Sequence, residues 1–193
     1  MALDPAFMHN EYLVRRKVFK LFGGAFHVYD KTQNLVCYSK QKAFKLREDF
    51  RIYRDEAQTQ ELLTIKTPQI LDLGATYHIK DSTTGEDVGA LRRKALKSII
   101  RDEWEILSPD GQVLGKMTEQ SMAGAIISRF VNLVPQKYAV LDANGRQVAD
   151  VKQHFNPFVL KYTIGITFPD TAIDRRLILA AGILLAGIER RQN

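Results

Sequence analysis

Bulky and polar positions alternate with a period of two along much of the chain, and the alternation comes in copies. An aromatic residue is followed two positions on by Val or Ile, and two further on by a polar residue. The copies are "FHVYD" (Phe26 to Asp30), "FRIYR" (Phe50 to Arg54), "YHIKD" (Tyr77 to Asp81), "WEILS" (Trp104 to Ser108) and "YAVLD" (Tyr138 to Asp142). A strand sends successive side chains to opposite faces, so each copy predicts a strand with its aromatic and aliphatic residues on one buried face. Each copy runs into a turn: "DKTQN", "RDEAQT", "DSTTGE", "SPDG" and "DANG". Asp and Asn bond their own backbone in such turns, and Gly takes positive φ. A second strand follows. Three of these carry a small residue at the same point, in Val88-Gly89-Ala90-Leu91, Leu114-Gly115-Lys116-Met117 and Val148-Ala149-Asp150-Val151. Small strand residues mark close approach by another element. The chain thus reads as hairpins, one about every 25 to 35 residues.

Further strands are expected in "EYLVRRKVFKLF" (Glu11 to Phe22), "QKAFKLR" (Gln41 to Arg47), "KALKSIIR" (Lys94 to Arg101) and "PFVLKYTIGITF" (Pro157 to Phe168). "TEQSMAGAIISRFV" (Thr118 to Val131) fits a short helix or an irregular crossover. The chain closes on "RRLILAAGILLAGIERR", in which twelve apolar or glycine residues, Leu177 to Ile188, lie between arginine pairs. As a helix this run is ~18 Å long, against ~30 Å of bilayer hydrocarbon. It is apolar on every side, which reads as full burial rather than as an interfacial stripe. Gly182 and Ala186 would let strands pack closely against it. A helix that must be surrounded, preceded by about a dozen strands, predicts a mainly β fold: a closed antiparallel barrel around a buried C-terminal helix at about 174–190.

The composition agrees and adds little. The 193 residues are 45% hydrophobic, enough for a real core. The net charge of +6 favours acidic partners. Cys37 is the single cysteine, which rules out an intramolecular disulfide and suits a reducing compartment. Residues 1–7 read as an appended leader, with Met8 as the expected native start and residues 8–193 as one barrel domain.

The stretches "KLFGGAFHVYDKTQNLV", "KAFKLREDFRIYRDE", "TYHIKDSTTGEDVGALRRKALKSIIRDEWEI", "YAVLDANGRQVADV" and "DRRLILAAGILLAGIE" run over most of Val14 to Glu189. In their order, ending in the apolar helix, they resemble the LURP-one-related branch of the tubby C-terminal-like superfamily. That superfamily also includes phospholipid scramblases. The resemblance implies a twelve-stranded barrel around a central helix. Lys116 to Pro135 is longer than that pattern leads one to expect. Tubby-like proteins bind phosphoinositide headgroups through basic surface residues, so the resemblance implies a non-enzymatic binding protein. Its expected partners are anionic phospholipid or phosphoinositide, or a protein at a membrane surface. Its expected place is the cytoplasm or the membrane periphery, with no transmembrane span. A scramblase-like lipid protein and a nucleic-acid-binding basic barrel are the alternatives. Scramblases carry a calcium-responsive acidic segment near the helix. Asp170 and Asp174 lie at the corresponding place, but two acids four apart make a poor calcium site, and Asp174 reads better as the helix N-cap.

No Walker loop, GxGxxG fingerprint or GxSxG elbow occurs, and no catalytic residue, metal site or cofactor is expected. His27 and His78 fill the same slot of the repeat and should face outward. What remains is charge. Arg15-Arg16-Lys17, Arg92-Arg93-Lys94, and the group Lys40, Lys42, Lys45 and Arg47 are the candidate anion-binding clusters. An ordinary solvated barrel exterior is the competing reading of all three.

Overall fold

The computed structural model describes residues 3–17, 24–41, 49–67, 74–94, 103–120, 135–154 and 159–188. Twelve strands follow one another: β1 (Glu11–Lys17), β2 (Gly24–Tyr29), β3 (Leu35–Gln41), β4 (Asp49–Tyr53), β5 (Glu61–Lys66), β6 (Thr76–Asp81), β7 (Asp87–Lys94), β8 (Glu103–Leu107), β9 (Val113–Glu119), β10 (Lys137–Asp142), β11 (Gln147–His154) and β12 (Val159–Ile166). Each pairs antiparallel with its sequence neighbours, and β1 pairs with β12 to close the barrel. Helix α1 (Arg175–Ile188) follows the last strand. Most of "QKAFKLR", most of "KALKSIIR", and the crossover from residue 121 lie outside the described residues.

The repeat is the inner lining. Phe26, Phe50, Tyr77, Trp104 and Tyr138 are buried, and so are Val28, Ile52, Ile79, Ile106 and Val140 two positions on. The last strand supplies a sixth copy, "YTIGI", whose Tyr162 and Ile164 are equally buried. The register slips just after the aliphatic residue of all five quoted copies, at Val28/Tyr29, Ile52/Tyr53, Ile79/Lys80, Ile106/Leu107 and Val140/Leu141. Such irregularities bend and twist a strand, which is what a sheet needs in order to curl shut. The turns that follow are pinned by their first residue. Asp30 accepts from the amides of Thr32 and Asn34, Asp81 from those of Thr83 and Thr84, and Asp142 from those of Asn144 and Arg146. At Asp30, burial opposes the charged form. The amide and side-chain bonds from Asn34 and Thr32 outweigh it and hold the carboxyl near 2.

The helix is buried on all sides. Every residue from Leu177 to Ala186 is buried, and ten consecutive helical positions cover every direction around the axis. Small strand residues make room at its start. Gly89 sits at φ +140°, and a Cβ there would fall on the Leu107 carbonyl oxygen and 3.3 Å from Leu177 Cδ1. A Cβ on Gly115 would fall on the Leu141 carbonyl oxygen and 2.8 Å from Ile173 Cδ1. Within the helix, a Cβ on Gly182 would lie 2.8 Å from Ile164 Cγ1, so β12 closes directly onto it.

Asp174 caps α1, its carboxylate accepting from the Arg176 amide at 2.8 Å. Basic residues in a first turn oppose the helix dipole. Here Arg176 is instead enclosed by acids, donating to Asp81 at 2.8 Å, Glu86 at 2.9 Å and Asp174 at 2.7 Å. This cluster ties the helix start to the β6–β7 hairpin. At the other end, Arg16 donates to the Ala186 carbonyl at 3.4 Å.

The N-terminal stretch set aside on sequence grounds is built into this core. Pro5–Phe7 forms a single 3-10 turn capped by Asp4. Ala6 and Phe7 are buried in the same apolar cluster as the helix.

Candidate anion-binding surface

Three consecutive basic residues in a strand cannot share a face, and the structure divides both triplets accordingly. In β1, Val14 points inward and Arg15 outward. Arg16 turns inward, its guanidinium 5.1 Å from the Phe26 ring centre and bonded to the helix end. In β7, Arg93 lies opposite the buried Trp104, its guanidinium 5.8 Å from that ring. Neither triplet is the compact surface cluster that its spacing suggested. Lys17 ends β1, and Lys40 lies in β3 opposite Arg51. Lys42, Lys45 and Arg47 lie outside the described residues.

Arg92 and Lys94 do face outward, but acids on the next strand neutralise them. Glu105 is 2.6 Å from Arg92 and 2.7 Å from Lys94, and Glu103 is 3.4 Å from Lys94 and 3.3 Å from Lys116. The hydrogen bond from Lys94 is the main reason the Glu105 carboxyl stays below its ordinary range, with Arg92 adding to it. The same bond holds the Lys94 ammonium above its ordinary range. This wall, β7 to β9, is a cross-strand ion ladder in which little positive charge remains to meet a ligand.

The adjoining wall is different. β10, β11, β12 and β1 are adjacent, and each presents a cation outward: Lys137, Lys152, Lys161 and Arg15. Their registers bring them side by side. Lys137 faces Lys152, and Lys161 faces Arg15 on one side and His154 on the other. Among the described residues, only Lys152 of these cations has an acidic partner, Asp150 at 3.2 Å. Arg15 donates to the Gln33 side chain at 2.7 Å and lies 5.0 Å from the Tyr29 ring centre. Strands spaced ~4.8 Å apart carry this patch over ~15 Å. Like charges directly opposite each other repel, as Lys137 with Lys152 and Lys161 with Arg15 do here.

None of Lys137, Lys152 and Lys161 stands in a basic run, so reading charge by local density passes over them. The usable signal was parity. Each lies one position from an inward residue of the lining: Tyr138, Val151 and Tyr162.

The remaining reactive groups are occupied by structure. Burial pushes the Cys37 thiol up to about 12, with Asp4 adding to the effect. His27 is 3.0 Å from Glu56 and packs edge-on against Tyr38. His27 and His78 stand on β2 and β6, well apart in the sheet order. Among the described residues, no group of His, Cys, Asp and Glu side chains is placed to hold a metal ion.

Compared with known proteins, the chain matches no curated protein sequence. A family model described as LURP-one-related matches residues 10–186, from the first strand into the last turn of the helix.

Proposed function

The chain belongs to the LURP-one-related family, and from that membership and the cation-rich wall of the barrel we propose a non-enzymatic binding protein that recognises anionic phospholipid headgroups at a cytoplasmic membrane surface. The observation that carries the reading is the side-by-side placement of Lys137, Lys152, Lys161 and Arg15, of which, among the described residues, Lys152 alone has an acidic partner. Each cation near an anionic bilayer contributes ~1 kcal/mol. Four of them give a weak, reversible and salt-sensitive attachment rather than an anchor. No helix among the described residues is long and apolar enough to cross a membrane, so the reading asks for contact with a surface only.

The test is co-sedimentation with vesicles of phosphatidylcholine alone and with added phosphatidylserine or phosphoinositide. At low salt, binding to the anionic vesicles is expected, falling steeply as salt shortens the screening length to below ~8 Å. The triple variant Lys137→Glu, Lys152→Glu, Lys161→Glu removes only outward side chains and should reduce binding at least ~tenfold with the barrel intact. Equal binding to neutral vesicles, or a triple variant that binds as well as the parent, would dismiss the reading. A single-stranded oligonucleotide that competes with vesicles would shift it to nucleic acid, since Arg15 leads directly onto the His27 and Tyr29 rings.

A further inference from the structure

The two ends of the barrel carry opposite charge. The repeat turns, from residues 30–34 to 142–146, lie at the end where α1 starts, since Arg176 there reaches Asp81 and Glu86 of the β6–β7 turn. The other end is where α1 finishes, marked by the bond from Arg16 to the Ala186 carbonyl. At the turn end most cations are matched by acids. Arg54 pairs with Asp4, Arg146 with Asp142, and Arg176 with three carboxylates, while Lys80 faces Asp87 across β6 and β7. Beyond those pairs the end carries Glu11, Asp30, Asp55, Asp110 and Asp170 against Lys31 and Arg175. Asp30 and Asp110 take their hydrogen bonds from amides and hydroxyls, which leave the negative charge uncancelled.

At the helix-finish end the balance reverses. Lys17, Lys66 and Lys94 are the last residues of β1, β5 and β7, and Lys137 is the first of β10. Lys40 and Lys152 stand within two places of the ends of β3 and β11. Of the acids at this end, Asp49 meets Arg51 at 3.5 Å, Glu103 lies between Lys94 and Lys116, and Glu119 is buried. The lysines are spread around the rim, because β5 lies six strands from β11 in a ring of twelve.

We propose that the barrel meets an anionic bilayer end-on, through the lysine rim where α1 finishes, with the rim of acidic turns held away from the surface. This deepens the headgroup reading above and rests on it. The 14 residues of α1 rise ~21 Å between the two rims, more than twice the ~8 Å screening length at physiological salt. With the lysine rim down, the acids sit beyond the reach of the surface potential. Inverted, they would face it and be repelled. Laid on its side, the barrel would bring both rims within its reach.

The test compares two exposed lysines that carry the same charge at opposite ends: Lys66, on the far side of the rim from the β10 to β1 wall, and Lys31, in the β2–β3 turn. In co-sedimentation with phosphatidylcholine–phosphatidylserine vesicles, Lys66→Gln is expected to weaken binding about fivefold and Lys31→Gln to leave it unchanged. A second readout places a fluorophore on Gly74→Cys, where a Cβ meets open space at the lysine end, or on the exposed Ala143→Cys in the β10–β11 turn. Cys37 is buried, so the engineered thiol takes the label. Vesicles carrying nitroxide-labelled headgroups should quench the label at residue 74 and spare the one at 143. Binding that falls equally in both lysine variants, or in neither, overturns the end-on geometry and leaves the headgroup reading standing. Equal quenching at the two labels does the same. A parent chain that does not sediment with anionic vesicles at low salt overturns both.

Discussion

A chain ended at Asp174, without α1, is expected to yield no cooperatively folded barrel. Six large aliphatic side chains of the helix, Leu177, Ile178, Leu179, Ile183, Leu184 and Leu185, are at most 2% exposed. Burying each contributes about 1.5–3 kcal/mol, so their loss is on the order of 10 kcal/mol. Reference-state compaction makes that an upper figure, yet it compares with ~5–15 kcal/mol for the net stability of a whole domain. The loss is not confined to the helix. Phe26, Phe50, Tyr77, Trp104, Tyr138 and Tyr162 would then line an empty lumen, and a barrel of this width is too wide to fill itself from its strands. The expected outcome is insoluble protein, or a chain whose urea transition is broad and whose near-ultraviolet circular dichroism is lost. A soluble truncated chain with a sharp transition would mean that the strands hold the barrel unaided.

Arg176→Leu is expected to cost about 3–5 kcal/mol, with a fall in Tm of roughly 10 °C for a chain of this size. Arg176 is 6% exposed and its guanidinium serves three carboxylates, one of them the buried Asp81. Burial works against charge on Arg176, but the bonds to Asp174, Glu86 and Asp81 outweigh it and raise its pKa above the usual arginine range. Removing the cation leaves those acids facing each other at the mouth of an apolar lumen. Charge linkage gives the substitution a pH signature. Burial opposes ionisation of Asp81, while bonds from Thr83, Arg176 and the Thr84 amide overcome it and hold its pKa below the ordinary 3.8. A depressed carboxyl contributes stability that is complete above its unfolded value and is lost as pH falls through its folded value. The parent should therefore lose stability as pH drops below about 4, and its advantage over Arg176→Leu should shrink there. Urea midpoints of the two proteins between pH 7 and pH 2.5 measure this. A variant that keeps the parent's midpoint at neutral pH would show that the acids find other partners.

The fold was largely legible because its physics is periodic. Two-residue alternation exposed the strands, and a helix apolar on every side could only be enclosed. Even the small residues at Gly89 and Gly115 were readable as approach points, though only the structure shows that a bulged neighbouring strand and the helix start are what approach. The sixth copy of the repeat was hidden in a longer apolar run, where Tyr162 and Ile164 lack a polar residue to end the pattern. The surface was far less legible. Charge read along the chain favoured Arg92-Arg93-Lys94, which strand parity splits and Glu103 and Glu105 neutralise. The patch of Lys137, Lys152, Lys161 and Arg15 exists only because barrel closure sets β1 beside β12. Arg176 looked like a flank of the apolar run, and nothing near it in sequence announces Asp81 as its partner. Likewise Phe7 gave no sign of its burial, because the groups that hold its segment, Arg54 and Arg175, lie far along the chain.

The central claim is that the helix is the core of the barrel and not a separable element. Native-state hydrogen exchange on the intact chain tests it most directly, because it reports the free energy of opening amide by amide. The amides of Leu179 to Ala186 are predicted to exchange only by global unfolding, with the same opening free energy as the ladder amides of β6 to β10. Helix amides that exchange as a separate, less protected unit while those strands stay protected would contradict it.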